Sequence, residues 1–179
     1  MTDDAVFSRP VKVDTLPRDG LRQKIAANAD ERGALARQFG LVSVGELKAD
    51  FLVQRVGRCI RVSGMASAEV TQTCVVTLEP FDAEIEEEVD VRFAPPPAED
   101  HKGRGPETEA KLQFDDEDEP DPIIDGKIDL GALAAEFVAL GLDPYPRKPD
   151  AAFDPPIEED EEEKPFAALK GLKSDPSRD

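Results

Sequence analysis

Ile85-Glu86-Glu87-Glu88-Val89-Asp90-Val91-Arg92-Phe93 decides the fold class. Ile85, Val89, Val91 and Phe93 share one parity, and Glu86, Glu88, Asp90 and Arg92 share the other. A period of two is the signature of a β-strand with one buried face and one wet face, and the wet face here is acidic. Working back from this strand, 48–56, a turn at Gly57-Arg58, and 59–78 with a bend at Gly64 complete a β-meander. The short connection Glu79-Pro80-Phe81-Asp82 allows the last two strands to run antiparallel.

Before the meander, residues 6–13 are rich in β-formers but contain Pro10, which has no N–H for a ladder, so they predict an edge or terminal strand. The turn residues Leu16-Pro17-Arg18-Asp19-Gly20 then lead into 21–27, and the two segments predict a hairpin. Asn28 or Asp30 can cap a helix with an inward stripe of Leu35, Ala36 and Phe39, closed by Gly40 and Leu41 in a left-handed stop. A helix of about three turns is marginal alone, so it is expected to cover a sheet face.

After the meander the composition changes. Pro95-Pro96-Pro97, Gly103, Gly105 and the acid run 115–119 predict a disordered insertion at about 95–122. Such a run could mimic phosphate and capture a basic tail, or simply be solvated. Order should resume at 123–130, where a short strand passes into a helix with Asp129 as N-cap. Leu130, Leu133, Ala134, Phe137, Val138 and Leu142 form one apolar stripe, ended by Pro144 and Pro146. This predicts the principal core helix.

These elements define one α+β domain over 1–149: a twisted antiparallel β-meander covered by two helices, with closure into a barrel as one option. Residues 150–179 read as a flexible acidic tail. Within it, Phe166, Leu169 and Leu172 recur every three residues beside Lys170 and Lys173, after Pro165, so 165–172 forms a short amphipathic segment. It would either bind a partner through these three apolar residues or dock on its own domain.

The 22 basic and 40 acidic residues leave a formal charge of -18. That field repels phosphate and anionic lipid, and favours basic partners. Arg55, Arg58 and Arg61 are the one compact positive cluster, at a hairpin tip where contact with RNA is conceivable. Acidic residues open the chain where a secretory signal would be basic, and no apolar run approaches the roughly 18 residues of a membrane span, which predicts a cytoplasmic protein.

Enzymatic chemistry finds little support. His101, the single histidine, falls in the polar insertion, so no nucleophile–base pair suggests itself. Gly103-Arg104-Gly105 lacks the flanking strand and helix of a phosphate loop. With Cys59 and Cys74 the sole cysteines, neither a disulfide framework nor a Cys/His zinc site is expected. The expectation is a non-enzyme without metal, cofactor or small-molecule substrate.

Three segments stand out: Val70-Thr71-Gln72-Thr73-Cys74, leading through Leu78-Glu79-Pro80-Phe81 to Val91-Arg92-Phe93-Ala94-Pro95; Ile128-Asp129-Leu130 onward to Leu140, followed by Asp143-Pro144-Tyr145-Pro146; and the closing Pro165-Phe166-Ala167-Ala168-Leu169-Lys170-Gly171-Leu172. Together they resemble the YceD family, small bacterial proteins associated with accumulation of large-subunit ribosomal RNA. Arg9-Pro10-Val11 and Leu16-Pro17-Arg18-Asp19-Gly20 look like the family's alphaproteobacterial branch. Cys74, Asp129, Leu130 and Pro144 thus stand at family-motif positions whose role is unknown. Many members carry Cys-x-x-Cys in the meander; here that spacing holds Thr71 and Cys74, so a zinc or redox role is not implied for this chain. The resemblance implies ribosome biogenesis, and the gene usually lies beside that of a large-subunit ribosomal protein. With the charge, it points to an accessory assembly factor contacting a basic large-subunit ribosomal protein or an assembly precursor. An acidic chaperone for one basic, non-ribosomal partner is the alternative.

Overall fold

A computed structural model describes residues 5–95 and 120–153. Its first regular element is a short strand, β1 (Pro10–Lys12), followed by a single 3-10 turn at Val13–Thr15. Then come β2 (Leu21–Ala26), α1 (Ala29–Phe39), β3 (Ser43–Val56), β4 (Cys59–Thr73) and β5 (Pro80–Ala94). β6 (Asp121–Pro122), β7 (Lys127–Asp129) and α2 (Leu130–Leu140) complete the described chain. β2-β3-β4-β5-β6 form one sheet, antiparallel except for β6, which runs parallel to β5. β1 and β7 form a separate antiparallel pair. The fold is α+β, as the alternation at 85–93 predicts. Among the described residues the sheet ends at β2 and β6 and does not close into a barrel.

The predicted helix boundaries follow from local chemistry. Asn28 Oδ1 accepts the Glu31 N–H at 2.9 Å while the Asn28 N–H donates to Glu31 Oε2 at 2.7 Å, a reciprocal capping box. At the other end Gly40 turns left-handed (φ 68°), and the Leu41 N–H reaches the Ala36 carbonyl at 2.9 Å. Asp129 caps α2 by accepting the N–H groups of Gly131 and Ala132.

Three expectations are corrected. Residues 6–13 do not pair with 21–27: β1 lies on β7, because the Asp129 carboxylate takes the Arg9 N–H at 2.7 Å and the Ser8 hydroxyl at 2.5 Å, tying this segment to the cap of α2. β3 begins at Ser43 rather than 48, since Gly45 sits at a register shift between Val44 and Glu46 that breaks the alternation. β4 stops at Thr73 and β5 starts at Pro80, before its strong alternation sets in. The predicted insertion at 95–122 lies mostly outside the described residues, but its last two positions pair with Phe93 and Ala94.

One face of the sheet carries Leu47, Phe51, Val53, Val62, Ala66, Ala68, Val70, Ile85 and Val89, all buried. They join Leu35 and Ala36 of α1 and Leu130, Leu133, Ala134 and Val138 of α2 in one hydrophobic core. Gly64 lets β4 press against β3: its φ is 152°, and a Cβ there would fall 2.0 Å from the Asp50 carbonyl oxygen.

Candidate functional site

Opposite the core, the other face of the sheet is covered by no described element. Ladder register places its side chains in rows running from β2 to β5: Arg22, Leu52, Ser63, Asp90; then Lys24, Asp50, Met65, Glu88; then Ala26, Lys48, Ser67, Glu86. Further rows add Glu46, Glu69, Glu84 and then Ser43, Thr71, Asp82. Ser63, Met65 and Ser67 follow one another on β4 in the middle, with Met65 46% exposed. Positive charge lies towards β2, and five carboxylates line β5 at every second position from Asp82 to Asp90.

The charges are unequally paired. Arg22 Nε and Nη2 donate to both oxygens of Asp50, at 2.9 and 2.8 Å, which holds that carboxyl below its usual range. Arg61 makes the same two-pronged contact with Asp90, with the same effect. Lys48 reaches Glu46 at 2.7 Å. Glu84, Glu86 and Glu88 form no ion pair among the described residues. The middle of β5 is therefore a row of carboxylates without an ion-pair contact among the described residues, with Lys48 close enough to Glu86 to feel its charge.

Cys74 lies at one end of the sheet, in the turn joining β4 to β5. The Cys74 N–H donates to the Glu79 carbonyl, and the Leu78 N–H donates to the Cys74 carbonyl, each at 2.9 Å. Closing this turn puts Leu78 in a left-handed conformation (φ 59°) with its side chain 77% exposed. The thiol is enclosed, and the N–H groups of Val76 and Thr77 point at Sγ from 3.4 and 3.5 Å. Its pKa is lowered to about 6, first by the hydrogen bond with the Thr77 side chain and then by the backbone N–H groups of Lys148, Thr77 and Val76, against the opposing effect of desolvation. The segment after α2 closes this corner: the Val75 N–H donates to the Pro146 carbonyl at 2.9 Å, and Lys148 Nζ meets Glu79 at 2.9 Å.

This corner could hold a thiolate, yet no group of three His, Cys, Asp or Glu side chains among the described residues is arranged to hold a metal ion. Thr71 does not supply a second ligand: its hydroxyl accepts from Ser43 and donates to Asp82 on the open face.

The remaining motif positions are scattered. Asp129 and Leu130 sit at the start of α2, one as a cap and one fully buried, while Pro144 is exposed in the turn after that helix. Phe166, Leu169 and Leu172 lie outside the described residues, as do His101 and the acid run 115–119. Of the three arginines at the hairpin tip, Arg61 is held by Asp90 and Arg55 donates to the Val13 carbonyl, so the predicted cluster is largely committed within the fold. Sequence reasoning found the acidic face of β5 and missed the N–H cradle around Cys74. Neither motif nor composition carries a signal for that cradle.

No described helix is long and apolar enough to cross a membrane. No curated protein matches the chain, and no solved structure does. A family model does match, over residues 62–173, more than half of the chain and including most of β4, the Cys74 turn, β5, α2 and the closing apolar segment. On that match the chain belongs to the YceD family, whose description, large ribosomal RNA subunit accumulation protein, ties it to the large ribosomal subunit.

Proposed function

We propose that the protein is a non-catalytic, cytoplasmic accessory factor in large-subunit assembly, and that it offers the open face of its sheet to a basic large-subunit ribosomal protein or assembly precursor. The observation that carries this reading is the unpaired row Glu84, Glu86 and Glu88 on a sheet face that no described element covers. Ribosomal proteins are rich in lysine and arginine, and a net charge of -18 attracts such chains while repelling ribosomal RNA. An acidic face could hold a basic segment away from RNA until its place in the particle is ready. Contact would then be made with protein rather than nucleic acid.

Two measurements test the proposal. Affinity capture of the tagged full chain at moderate salt should recover large-subunit precursors or their proteins, and E84K/E86K/E88K should lose them. Recovery of a single basic protein with no ribosomal role would favour the acidic chaperone instead. Sedimentation of ribosomal particles from cells depleted of the protein should show a deficit of large subunits; normal subunits with normal ribosomal RNA would overturn the ribosomal reading. A hydrolytic or RNA-modifying activity lost on substitution of one residue would overturn the non-catalytic reading.

A further inference from the structure

The open face is long and slightly hollow. One depression, about 510 Å³, is lined by Lys24, Ala26, Lys48, Met65 and Ser67; a second, about 720 Å³, lies beside Gly45, Glu69, Thr71, Asp82 and Glu84. From Met65 to Thr71 they span about 20 Å along β4, and a ten-residue helix would be about 15 Å long. Met65 and, one row beyond it, Leu52 offer apolar contacts at one end of this span, with carboxylates along the β5 flank.

The chain carries a segment of complementary character. Residues 164–173 read Lys-Pro-Phe-Ala-Ala-Leu-Lys-Gly-Leu-Lys, with three lysines and no acid. On a helix, Lys170 and Lys173 fall four residues after Phe166 and Leu169 and so border the stripe formed by Phe166, Leu169 and Leu172. Length permits a return. The chain is pinned at the β4–β5 turn by the contacts of Pro146 and Lys148, and the stretch from Phe153 to Lys164 can span up to about 36 Å. Met65 lies about 27 Å along β4 from the end of that strand at Thr73. The family match joins both partners in one unit, since it starts at Val62 in β4 and ends at Lys173.

We propose that residues 164–173 fold back onto the open face of their own sheet, with Phe166, Leu169 and Leu172 against Leu52 and Met65 and Lys170 and Lys173 beside Glu84, Glu86 and Glu88. The contact is a basic, apolar peptide on an acidic, partly apolar face, the same chemistry that a foreign basic partner would offer, so such a partner would have to displace it. The acid run 158–163 just ahead is repelled by β5. Salt therefore acts in opposite directions on the segment and its approach, and substitutions discriminate better.

The chain contains two methionines, Met1 and Met65, so methyl-labelled methionine gives Met65 a resonance of its own. In the full-length protein the Met65 methyl should be shifted upfield by ring current and show a nuclear Overhauser contact to a Phe ring. Both should vanish in F166A/L169A/L172A and weaken in K170E/K173E. F166L should remove the upfield shift while leaving the Ser63 and Ser67 amides unmoved. A Met65 methyl identical in wild type and the triple variant overturns the proposal, as does loss of the contact without any dependence on Lys170 and Lys173. Nothing in this experiment requires a ribosomal partner, so its outcome is separate from that of the assembly reading.

Discussion

The two faces of the sheet are built from the same strands, yet they obey different rules. On the inner face Phe51, Val62, Ala66 and Val89 are enclosed by α1 and α2, and each side chain is specified by its neighbours. On the outer face Ser63, Ser67, Met65 and the carboxylates of β5 meet no covering element among the described residues. Burial decides what may stand on the first; charge decides what can approach the second. Stability and recognition are thus assigned to opposite sides of one sheet.

That division is most sharply tested by paired truncations on neighbouring rows. Phe51→Ala empties a fully buried ring site and should cost about 3–5 kcal/mol, whereas Met65→Ala, which removes a half-exposed side chain, should cost less than about 1 kcal/mol. Urea denaturation of both variants gives the comparison directly. Similar losses would mean that the segment 164–173 encloses Met65 as tightly as the core encloses Phe51.

A smaller effect is expected where the N-terminal segment is fastened to the core side. Asp129→Ala removes the cap of α2 together with the anchors for Ser8 and the Arg9 N–H, a loss of about 1–2 kcal/mol. Amide exchange should quicken at Gly131 and Ala132 and along β1. If only the helix start responds, the carboxylate is a cap and nothing more.

Much of this division can be read from the chain, and the exceptions have physical causes. Asn28, Glu31, Gly40 and Asp129 act on backbone groups within a turn or two, so their spacing alone announces α1 and α2. The polarity of β5 is equally local. The partner of β1 is not, because the choice of β7 over β2 depends on a carboxylate 120 positions from the Arg9 N–H it accepts. The start of β3 is hidden by the irregularity at Gly45. The acidic face is legible as a pattern of residues, whereas the setting of Cys74 depends on N–H groups that every residue type carries.

Cys74 gives the pH-dependent test at the boundary between the faces. Its folded pKa is about 6, below the ordinary thiol value of 9.0, so the unfolded chain holds that proton more tightly. Its contribution to stability is complete above pH 9, declines as pH falls through this interval, and is gone below about 6. Unfolding curves of the wild type should strengthen from pH 6 to pH 9 relative to those of Cys74→Ser. Parallel pH profiles would show that the cradle does not hold a thiolate. At lower pH, Glu31, Asp50 and Asp90 add a separate dependence: their arginine partners depress their pKa values, so their stabilisation is present above the ordinary carboxylate range and is lost on acidification.

The least effect on stability is expected from the most drastic change of charge. E84K/E86K/E88K reverses three exposed side chains that form no ion pair among the described residues and repel one another along β5. Lysine keeps the backbone ladder, and exposed substitutions of this kind stay within about 0.5 kcal/mol of the parent. The denaturation midpoint should therefore hardly move, while capture of basic proteins at moderate salt should fall sharply, because the attracting field has changed sign. A variant that unfolds would assign these glutamates to the structure. One that folds and still captures the same proteins would move recognition away from the open face, to a part of the chain where charge is not what selects the partner.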